Sequence, residues 1–410
     1  MAEREMPGVL ALRKLYEDEK PLQGARIVCC THVNAQTAVV IETLIQLGAK
    51  VRWASCNIYS TQQNEVAAAV AHAGVSVYAW KGMQESDFWW CIDQCLEHDN
   101  WHPNLILDDG GDATDRLLNR FPSVFNGLKG VVEEGVSGIH RLHVLNKNDK
   151  LLAPAMRIDD AVVKCKFDTV YCCRETVVEV LKKAADVMFA GMKVLICGYG
   201  DVGKGCSLSL KSLGAQVFVT EVDPICALQA CMEGYTVVQL EDVIDTVDCV
   251  ITCTGNKHVL YGEHFNRMKS GCIVCNMGHP YMEVEIKTLK SINLTWQKVA
   301  SLVDHVIWPD GKFIVLLSEG RLATLGNCKL PSLVASVTAS TQILALIELF
   351  TAPPNLYEHD IYILPKKMDE LVASLHLSKF NARLSVLTDE QSKYVGFDKK
   401  GPFKVKTYRY

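Results

Sequence analysis

The glycine-rich stretch Gly198-Tyr199-Gly200-Asp201-Val202-Gly203-Lys204-Gly205 constrains the fold of this chain more than any other feature. An apolar run over residues 194–197 precedes it, and a helix-like segment over residues 206–213 follows it. A second apolar run, over residues 216–220, ends just before Glu221. This order of strand, glycine turn, helix, strand and acidic residue is typical of a dinucleotide-binding βαβ unit. We therefore predict a parallel α/β unit around it.

Each glycine of the motif has its own physical role. Gly198 permits the tight turn, Gly200 lets the backbone approach a pyrophosphate, and Gly203 lets helix and strand pack closely. The helix N-terminus offers unpaired N–H groups to the phosphates. Glu221 would accept hydrogen bonds from both ribose hydroxyls, which favours NAD over NADP. A glycine turn without a ligand is the weaker alternative. The candidate cofactor contacts here are Gly198, Gly200, Asp201, Val202, Gly203, Lys204 and Glu221.

Length and charge limit the class of protein. At 410 residues the chain is long enough for two domains or three. The net charge is −5 without a long run of like charges, which argues against a nucleic-acid partner and an anionic membrane surface. We see no apolar stretch as long as a membrane span and no signal peptide, so we expect no membrane insertion.

Cysteine usage indicates the redox compartment. Most of the 17 cysteines fall inside predicted strands and helices, which fits a reducing cytosol better than a disulfide framework. We therefore expect a cytoplasmic protein. The spacing Cys272-x-x-Cys275 is compatible with zinc, but both residues lie in one strand-like run without a second ligand pair. We interpret them as core cysteines and predict no metal site.

A first α/β region begins with a predicted strand over residues 25–30 and a helix over residues 37–47. Further strands are predicted at 51–55, 75–80 and 105–107. Small or polar residues follow three of these strands, where ligands sit in open parallel sheets. The candidate site residues at these ends are Thr31, His32, Cys56, Asn57, Asp108, Asp109, Gly110 and Gly111.

The whole chain is predicted to contain two doubly wound parallel-sheet domains and a C-terminal tail. Residues 1–160 and 331–385 form the substrate-binding domain, and residues 175–330 form the dinucleotide domain. The segment 332–350 is apolar on too many faces for an exposed helix. It either docks onto the first domain or lines a subunit contact. Residues 386–410 are polar and basic and form the tail.

Four segments and the chain ending carry a resemblance to a known family. The segments are residues 106–112, residues 164–175 with Lys164-x-Lys166-Phe167-Asp168, residues 198–205, and Cys275-Asn276-Met277-Gly278-His279. Together with the ending Tyr408-Arg409-Tyr410, they resemble the adenosylhomocysteinase family, NAD-dependent hydrolases of S-adenosylhomocysteine. Residues 89–91 and 303–311 resemble its adenosylhomocysteinase-like branch, which includes the inositol trisphosphate receptor-binding regulator.

The resemblance implies roles for individual residues. Lys164 and Asp168 would serve the 3′ and 2′ ribose hydroxyls, and Asp109 the C4′ proton. His32 and His279 would act at C5′. The remaining implied site residues are Glu134 near the ribose, Cys173 near the nicotinamide, and Cys226, Met277, Gly278, His279 and Thr324 at the cofactor.

Several positions depart from the pattern of active relatives. Gln36 replaces a glutamate that faces adenine, and Thr169 replaces an asparagine. Residues 135–137, Gly-Val-Ser, replace three threonines. Further replacements are Asn34 for threonine, Cys226 and Thr324 for asparagines, and Leu330 for a gate histidine. We predict that normal hydrolase activity is lost or strongly reduced. A working hydrolase with a repacked pocket and a 2-hydroxyacid dehydrogenase-like enzyme are the alternatives, the second being the weaker.

Tail residues imply assembly. In the family, a tail lysine and tyrosine reach the cofactor of a neighbouring subunit, and they match Lys404 and Tyr408. The resemblance therefore implies a homo-oligomer, a tetramer in the family. It also implies co-assembly with an active adenosylhomocysteinase, so that the chain would act in methionine metabolism by binding.

Overall fold

The computed structural model describes residues 1–61, 63–97, 101–278, 282–291, 293–325, 328, 330–406, 408 and 410. The chain divides into two compact units. Unit 1 comprises Met1–Asp168 and Pro331–Tyr410, and unit 2 comprises Thr169–Leu330. Residues 386–410, which the sequence analysis treated as a separate tail, belong to unit 1. There the Phe403 N–H donates to Glu370 Oε1 at 2.8 Å.

The strands, in chain order, are β1 (Arg26–Thr31), β2 (Lys50–Ser55), β3 (Ser76–Tyr78), β4 (Leu105–Asp108), β5 (Gly130–Glu133), β6 (Ala155–Arg157), β7 (Lys193–Cys197), β8 (Gln216–Thr220), β9 (Thr236–Val237), β10 (Cys249–Thr252), β11 (Cys272–Asn276), β12 (Thr295–Ala300), β13 (Val303–Ile307), β14 (Phe313–Leu317) and β15 (Ile361–Ile363).

The α-helices are α1 (Pro7–Leu15), α2 (Ala35–Gln46), α3 (Asn64–His72), α4 (Glu85–Leu96), α5 (Asp112–Arg120), α6 (Pro122–Phe125), α7 (Val136–Lys147), α8 (Val170–Ala185), α9 (Asp201–Ser212), α10 (Pro224–Met232), α11 (Leu240–Val243), α12 (Gly262–Arg267), α13 (Ile286–Ser291), α14 (Ser332–Thr351), α15 (Lys366–Leu377) and α16 (Asp389–Val395). A π-helical turn, Lys164–Thr169, precedes α8 directly. Short 3₁₀ turns are Glu3–Glu5, Ser318–Gly320, Ala323–Leu325 and Ser378–Phe380.

Unit 1 is a doubly wound parallel sheet, as predicted. Its strand order is β15-β6-β5-β4-β1-β2-β3, and each neighbouring pair is parallel. The winding reverses between β1 and β4, which makes their carboxyl ends the expected ligand crevice. Successive strand residues enter separate cores: Cys29 packs in one hydrophobic cluster and Cys30 in another. Helices therefore cover both faces of the sheet.

Helix α14 is the central helix of unit 1. It packs against α1, α2, α15 and β5, which matches the first of the two sequence alternatives for this segment. Contrary to the sequence analysis, which saw no apolar stretch of this length, the helix is long and apolar enough to cross a membrane, yet 78% of the relevant window is buried inside the protein. A helix covered on all sides lacks an amphipathic stripe, which explains its uniformly apolar sequence.

Unit 2 is a second doubly wound sheet, in the order β12-β13-β14-β11-β10-β7-β8-β9. The pairs from β14 to β9 are parallel, and the winding reverses between β7 and β10. Strands β12 and β13 add an antiparallel edge that the sequence analysis did not predict. Cys275 and Cys272 of β11 lie in different hydrophobic clusters, on opposite faces of the sheet. They therefore cannot share one metal ion.

Candidate functional site

Four predicted side chains of unit 1 follow directly after strands of its sheet. His32 follows β1, Cys56 follows β2, Asp109 follows β4 and Glu134 follows β5. These strands are parallel neighbours, so their carboxyl ends lie along one sheet edge. The edge includes the point between β1 and β4 where the winding reverses, which is where such folds bind ligands.

His32, Cys56 and Asp109 contact one another at this edge. Cys56 Sγ lies 3.5 Å from His32 Nδ1 and 3.6 Å from Asp109 Oδ2. His32 Nε2 lies 3.3 Å from Asp109 Oδ2. Burial raises the pKa of Asp109, and the neighbouring His32 opposes that increase. Burial, reinforced by the charge of Asp109, also raises the pKa of Cys56 well above its usual value.

A second group of interacting side chains surrounds Lys164, which lies in the π-helical turn. Lys164 Nζ donates to Glu134 Oε1 at 2.8 Å. Helix α14 supplies two more donors: Gln342 Nε2 donates to Glu134 Oε2, and Thr338 Oγ1 donates to Asp168 Oδ2. The result is a cation paired with Glu134 and influenced by the charge of Asp168, with both carboxylates held by a distant segment of the chain.

The charges of this group support one another. Burial alone would raise the pKa of Glu134, but the ammonium of Lys164, His32 and the hydrogen bond from Gln342 together outweigh it and lower that pKa. Burial would lower the pKa of Lys164, but Glu134 and then Asp168 outweigh it and raise it. Burial raises the pKa of Asp168 to about 6 despite the same ammonium. At neutral pH the lysine is therefore charged, and both carboxylates are predominantly ionised.

Two fully buried carboxyls hold the loops of this edge, and one of them, Glu133, was missed by the sequence analysis. Asp108 Oδ2 accepts from the Thr114 N–H and hydroxyl, which fixes the start of α5. Glu133 Oε1 accepts from the N–H groups of Gly110 and Gly135 at 2.9 and 2.7 Å. Burial raises the pKa of Asp108 to about 6 and that of Glu133 well above its usual range. The Glu133–Glu134 pair at a strand end was the available signal.

Three of the replaced positions in unit 1 have defined surroundings. A Cβ atom on Gly135 would lie 2.7 Å from Asp109 Oδ1, too close for any larger residue without movement. Gln36 Nε2 donates to Ser332 Oγ at 2.9 Å. Asn34 caps α2, with its side chain accepting from the Thr37 N–H. Two others, Thr169 and Leu330, are the first and last residues of unit 2.

The glycine motif of unit 2 forms the predicted turn between β7 and α9. Gly198 has φ +98°, a conformation that favours glycine. A Cβ atom on Gly203 would lie 1.9 Å from the Gly198 carbonyl oxygen, so only glycine allows this approach. At Gly200 a Cβ atom would meet open space. The backbone there is thus accessible to a pyrophosphate, so the cradle fits the predicted dinucleotide.

Glu221 closes this cradle. Its carboxylate accepts from the N–H groups of Tyr199, Val222 and Asp223 at 2.6, 2.6 and 3.0 Å. Tyr199, fully buried between two motif glycines, donates its hydroxyl to Glu233 Oε2 at 2.6 Å. The sequence analysis did not identify Glu233, because it follows α10 in the sequence and lies outside the glycine motif. Glu221, the acidic residue of the motif, is therefore hydrogen-bonded to the same glycine turn whose dinucleotide ligand it would also bind.

The strand ends beside the turn supply further polar groups. Glu283 is fully buried and accepts from the Thr254 N–H and hydroxyl at 2.9 Å and from the Gly255 N–H at 2.8 Å. Asn276 Oδ1 accepts from the Gly278 N–H at 3.0 Å. Glu283 orders the loop after β10, and the sequence analysis missed it because it lies in no motif.

The other predicted cofactor residues are distributed over unit 2 and the tail. Asp201, Val202 and Lys204 lie in the first turn of α9, and Met277 and Gly278 follow β11. Cys226 lies in α10, Thr324 in a 3₁₀ turn and Cys173 in α8. Lys404 and Tyr408 belong to unit 1, where the ammonium lies 5.0 Å from the ring centroid. His279 lies outside the described residues.

Comparison with protein families gives two matches. Residues 169–330 match the model for the NAD binding domain of S-adenosyl-L-homocysteine hydrolase. Residues 1–120 match the model for S-adenosyl-L-homocysteine hydrolase itself. The first match coincides with unit 2, so the cofactor of this domain is NAD. Together the two matches cover well over half of the chain.

Solved structures show more distant likenesses. A dipicolinate synthase chain from Bacillus halodurans is 15% identical with a TM-score of 0.49, over 81% of this chain and 99% of that one. NAD⁺-bound 3-phosphoglycerate dehydrogenase from Entamoeba histolytica is 13% identical with a TM-score of 0.47, over 82% and 98%. Identities this low say nothing about activity.

Proposed function

Because the chain belongs to the S-adenosyl-L-homocysteine hydrolase family, we propose that it binds NAD and an adenosine thioether but hydrolyses the thioether slowly. In this proposal the chain acts mainly by binding, and it regulates methionine metabolism through co-assembly with an active hydrolase. The observation that carries the binding part is the Lys164–Glu134 pair, with Asp168 fixed beside it.

Lys164, Glu134 and Asp168 suit the two hydroxyls of a ribose. An ammonium donates hydrogen bonds only, and ionised carboxylates accept them, so together they can satisfy a diol in both directions. Thr338 and Gln342 of α14 hold the two carboxylates, which orders them before a ligand arrives. NAD, when bound, would supply the reversible oxidation of the ribose 3′-hydroxyl.

His32 and Asp109 suit proton transfer at the other side of the ribose. Asp109 has a raised pKa because of burial, which makes it a better base than an exposed aspartate. We assign it the C4′ proton. His32, 3.3 Å from Asp109, would exchange a proton with the group leaving or arriving at C5′. His32 and Asp109 are both present in this chain, so the proposal retains binding of the thioether while turnover is slow.

The replaced positions support slow turnover. Gln36 offers a neutral amide where active relatives present a carboxylate to adenine, which removes a charge-assisted hydrogen bond. Gly135 packs against Asp109, so a threonine donor cannot be restored there without moving the aspartate. Each lost hydrogen bond costs on the order of 1 kcal/mol. Several such losses lower the rate by roughly three to four orders of magnitude.

A second candidate function is an active hydrolase. The contacts among His32, Asp109 and Cys56 favour it, because an unused catalytic group would have no need of such placement. The two functions differ in one measurable quantity, the rate at which purified protein converts S-adenosylhomocysteine to adenosine and homocysteine. The NAD content of the same sample shows whether slow turnover reflects a missing cofactor.

We expect turnover far below that of an ordinary enzyme in protein that carries NAD. A rate within about tenfold of the usual ~10 per second would establish the active hydrolase instead. Gln36→Glu combined with Thr169→Asn and the active-type gate segment at 323–331 should raise the rate. Leu330→His alone should raise it less, because the segment is also one residue short.

Lys404 and Tyr408 support the assembly part of the proposal. In the family these residues would complete the cofactor site of a neighbouring subunit, so a chain that keeps them can join an active hydrolase in a mixed tetramer. The proposed compartment is the cytoplasm and the proposed branch is the adenosylhomocysteinase-like one. Co-expression with an active hydrolase tests this: truncation before Gly401 should abolish co-purification, and unchanged co-purification would contradict the tail mechanism.

A further inference from the structure

The His32–Cys56–Asp109 cluster combines three kinds of metal donor. An imidazole nitrogen, a thiol sulfur and a carboxylate oxygen lie within 4.8 Å of one another. Each comes from the first residue after a different parallel strand, so the sheet holds their backbones in fixed register. A nitrogen, sulfur and oxygen set selects zinc-class transition metals over magnesium or calcium, which prefer oxygen ligands alone.

The spacing of the donors suits one tetrahedral ion. Zinc bonds of about 2.0–2.3 Å place tetrahedral ligands roughly 3.3–3.8 Å apart. Cys56 Sγ and Asp109 Oδ2, 3.6 Å apart, already lie in this range. His32 approaches the thiol through Nδ1 at 3.5 Å and the carboxylate through Nε2 at 3.3 Å. The ring of His32 now directs Nδ1 to the thiol and Nε2 to the carboxylate. Only one ring nitrogen can be a ligand of the ion, so binding requires the ring to turn until that nitrogen faces both the thiol and the carboxylate.

Access and charge also suit an ion. Cys56 is buried, while the side chains of His32 and Asp109 are 39% and 20% exposed, so an ion can enter from the solvent side. Asn57 Nδ2 lies 3.9 Å from Cys56 Sγ and can donate to a thiolate there. The nearby Lys164 is already paired with Glu134, which limits its repulsion of a cation.

We propose that His32, Cys56 and Asp109 bind one divalent transition-metal ion of the zinc class. Three protein ligands leave the fourth tetrahedral position open to water or to a ligand atom. On binding, the thiol of Cys56 releases its proton to solvent and becomes a metal-bound thiolate. This inference departs from the sequence expectation that the chain has no metal site.

An ion here would also change what the unit can bind. It would take His32 and Asp109 away from the ribose, so metal and adenosine should compete for the edge. This consequence rests on the proposed function, whereas binding of the metal itself does not. The two can therefore be tested separately on the same NAD-loaded, full-length protein.

Cobalt(II) is the probe for the site, because thiolate coordination gives it a charge-transfer absorption band in the near ultraviolet. Titration of reduced protein under anaerobic conditions should show one tight equivalent with this band. Cys56→Ser should abolish the band. His32→Ala and Asp109→Asn should weaken the affinity by roughly tenfold or more, since even changes behind metal ligands cost that much.

Cys231→Ser is the matched control, because Cys231 is an exposed cysteine of α10 in the other unit. It should leave the tight equivalent and the band unchanged. Circular dichroism and NAD content show that each variant is folded. A band that survives Cys56→Ser, or the lack of a tight equivalent in the unmutated protein, would overturn the proposal.

Zinc then tests the consequence. Adenosine should bind the unmutated protein less tightly with Zn²⁺ present, and bind Cys56→Ser equally well with or without it. If zinc displaces cobalt but leaves adenosine affinity unchanged, the metal site stands and the placement of the ribose in the proposed function fails.

Discussion

The two units have the same strand order around their switch points, yet they build different kinds of site there. In unit 2 the cradle between β7 and α9 consists of glycine backbone and N–H groups, tied together by Glu221. In unit 1 the corresponding edge consists of ionisable side chains, His32, Asp109, Glu134 and Lys164. One topology therefore supports a site made by the backbone in one unit and a site made by charges in the other.

This difference decides how each site responds to change. A backbone cradle depends on close approach and fails when a side chain is added. A cluster of buried charges depends on balance and fails when one charge is removed. Substitutions that add volume should therefore be the sharpest test of the cradle in unit 2, and those that remove charge should be the sharpest test of the edge in unit 1. Four experiments test this division, taken from the largest expected effect to the smallest.

Removing the cation from unit 1 should give the largest loss. Lys164→Ala leaves the half-buried carboxylates of Glu134 and Asp168 without the ammonium that compensates their charges. We expect the free energy of unfolding to fall by about 3 kcal/mol, the lower end for breaking a buried pair. Urea unfolding measures this, with Lys166→Ala of the same turn as the control. Equal stability of the two variants would show that the charge balance of unit 1 does not matter.

Adding one carbon to the unit 2 turn should give the next effect. The new Cβ of Gly203→Ala would strike the Gly198 carbonyl oxygen, so the turn must move. We expect a loss of about 1–3 kcal/mol in unfolding free energy, together with weak NAD binding. Gly200→Ala meets open space, so it should reduce NAD affinity without the loss of stability. Calorimetry and urea unfolding separate the two; identical behaviour would contradict a cradle defined by close approach.

Glu221 contributes a charged side chain to a cradle that is otherwise described by its backbone groups. Glu221→Ala removes the acceptor of three N–H groups and the predicted partner of the ribose hydroxyls. NAD binding should weaken by roughly 1–3 kcal/mol. Calorimetric titration checks this, and Asp245→Ala on the surface of the same unit should bind normally. Complete absence of NAD binding by the unmutated protein would refute the cradle assignment itself.

The smallest effect concerns pH and distinguishes a titrating site from one made of backbone. The pKa of Asp168 is raised by burial to about 6, from an ordinary value of 3.8. A raised folded pKa means that the folded state binds the proton more tightly. Its stabilising contribution is therefore complete below pH ~4 and is lost as pH rises towards and through pH 6.

Asp168→Asn should remove this contribution. Between pH 4 and 7, the stability of the unmutated protein should fall relative to that of the variant as pH increases. Urea unfolding at several pH values checks the difference, and Asp389→Asn, at an exposed position of α16, should show no such trend. A difference that is constant across this range would mean that Asp168 does not titrate there.

The sequence predicted the glycine cradle of unit 2 more completely than the charged edge of unit 1. The cradle is encoded by a local motif, whereas the edge depends on residues that are distant in sequence. A backbone cradle needs glycine at fixed spacing, so residues 198–203 could be identified directly. The rule that ligands sit at strand ends also placed His32, Cys56 and Asp109 at one edge. The residues that hold the rest of this site in place come from a segment far along the chain. Gln342 contacts Glu134 across 208 positions, and no local pattern encodes such a pair.

The missed features of the fold have similar causes. Residues 295–307 form an antiparallel edge because the chain returns directly through a tight connection, which the alternation of strands and helices elsewhere did not suggest. Glu133 was overlooked because its partners, Gly110 and Gly135, are backbone groups on separate loops. Its role depends on the register of β4 and β5, which composition does not reveal.

The position of α14 has a consequence for biosynthesis. This helix covers one face of the unit 1 sheet, yet it emerges from the ribosome only after all of unit 2 has been made. Until then the first 168 residues lack the segment that carries Thr338 and Gln342. Unit 2, which is contiguous, can fold as soon as it is synthesised, so the second unit in the sequence is the first that can be completed. Until α14 is made, the face of the nascent sheet that it packs against is covered only by N-terminal helices such as α1 and α2, so part of its apolar surface stays exposed to solvent.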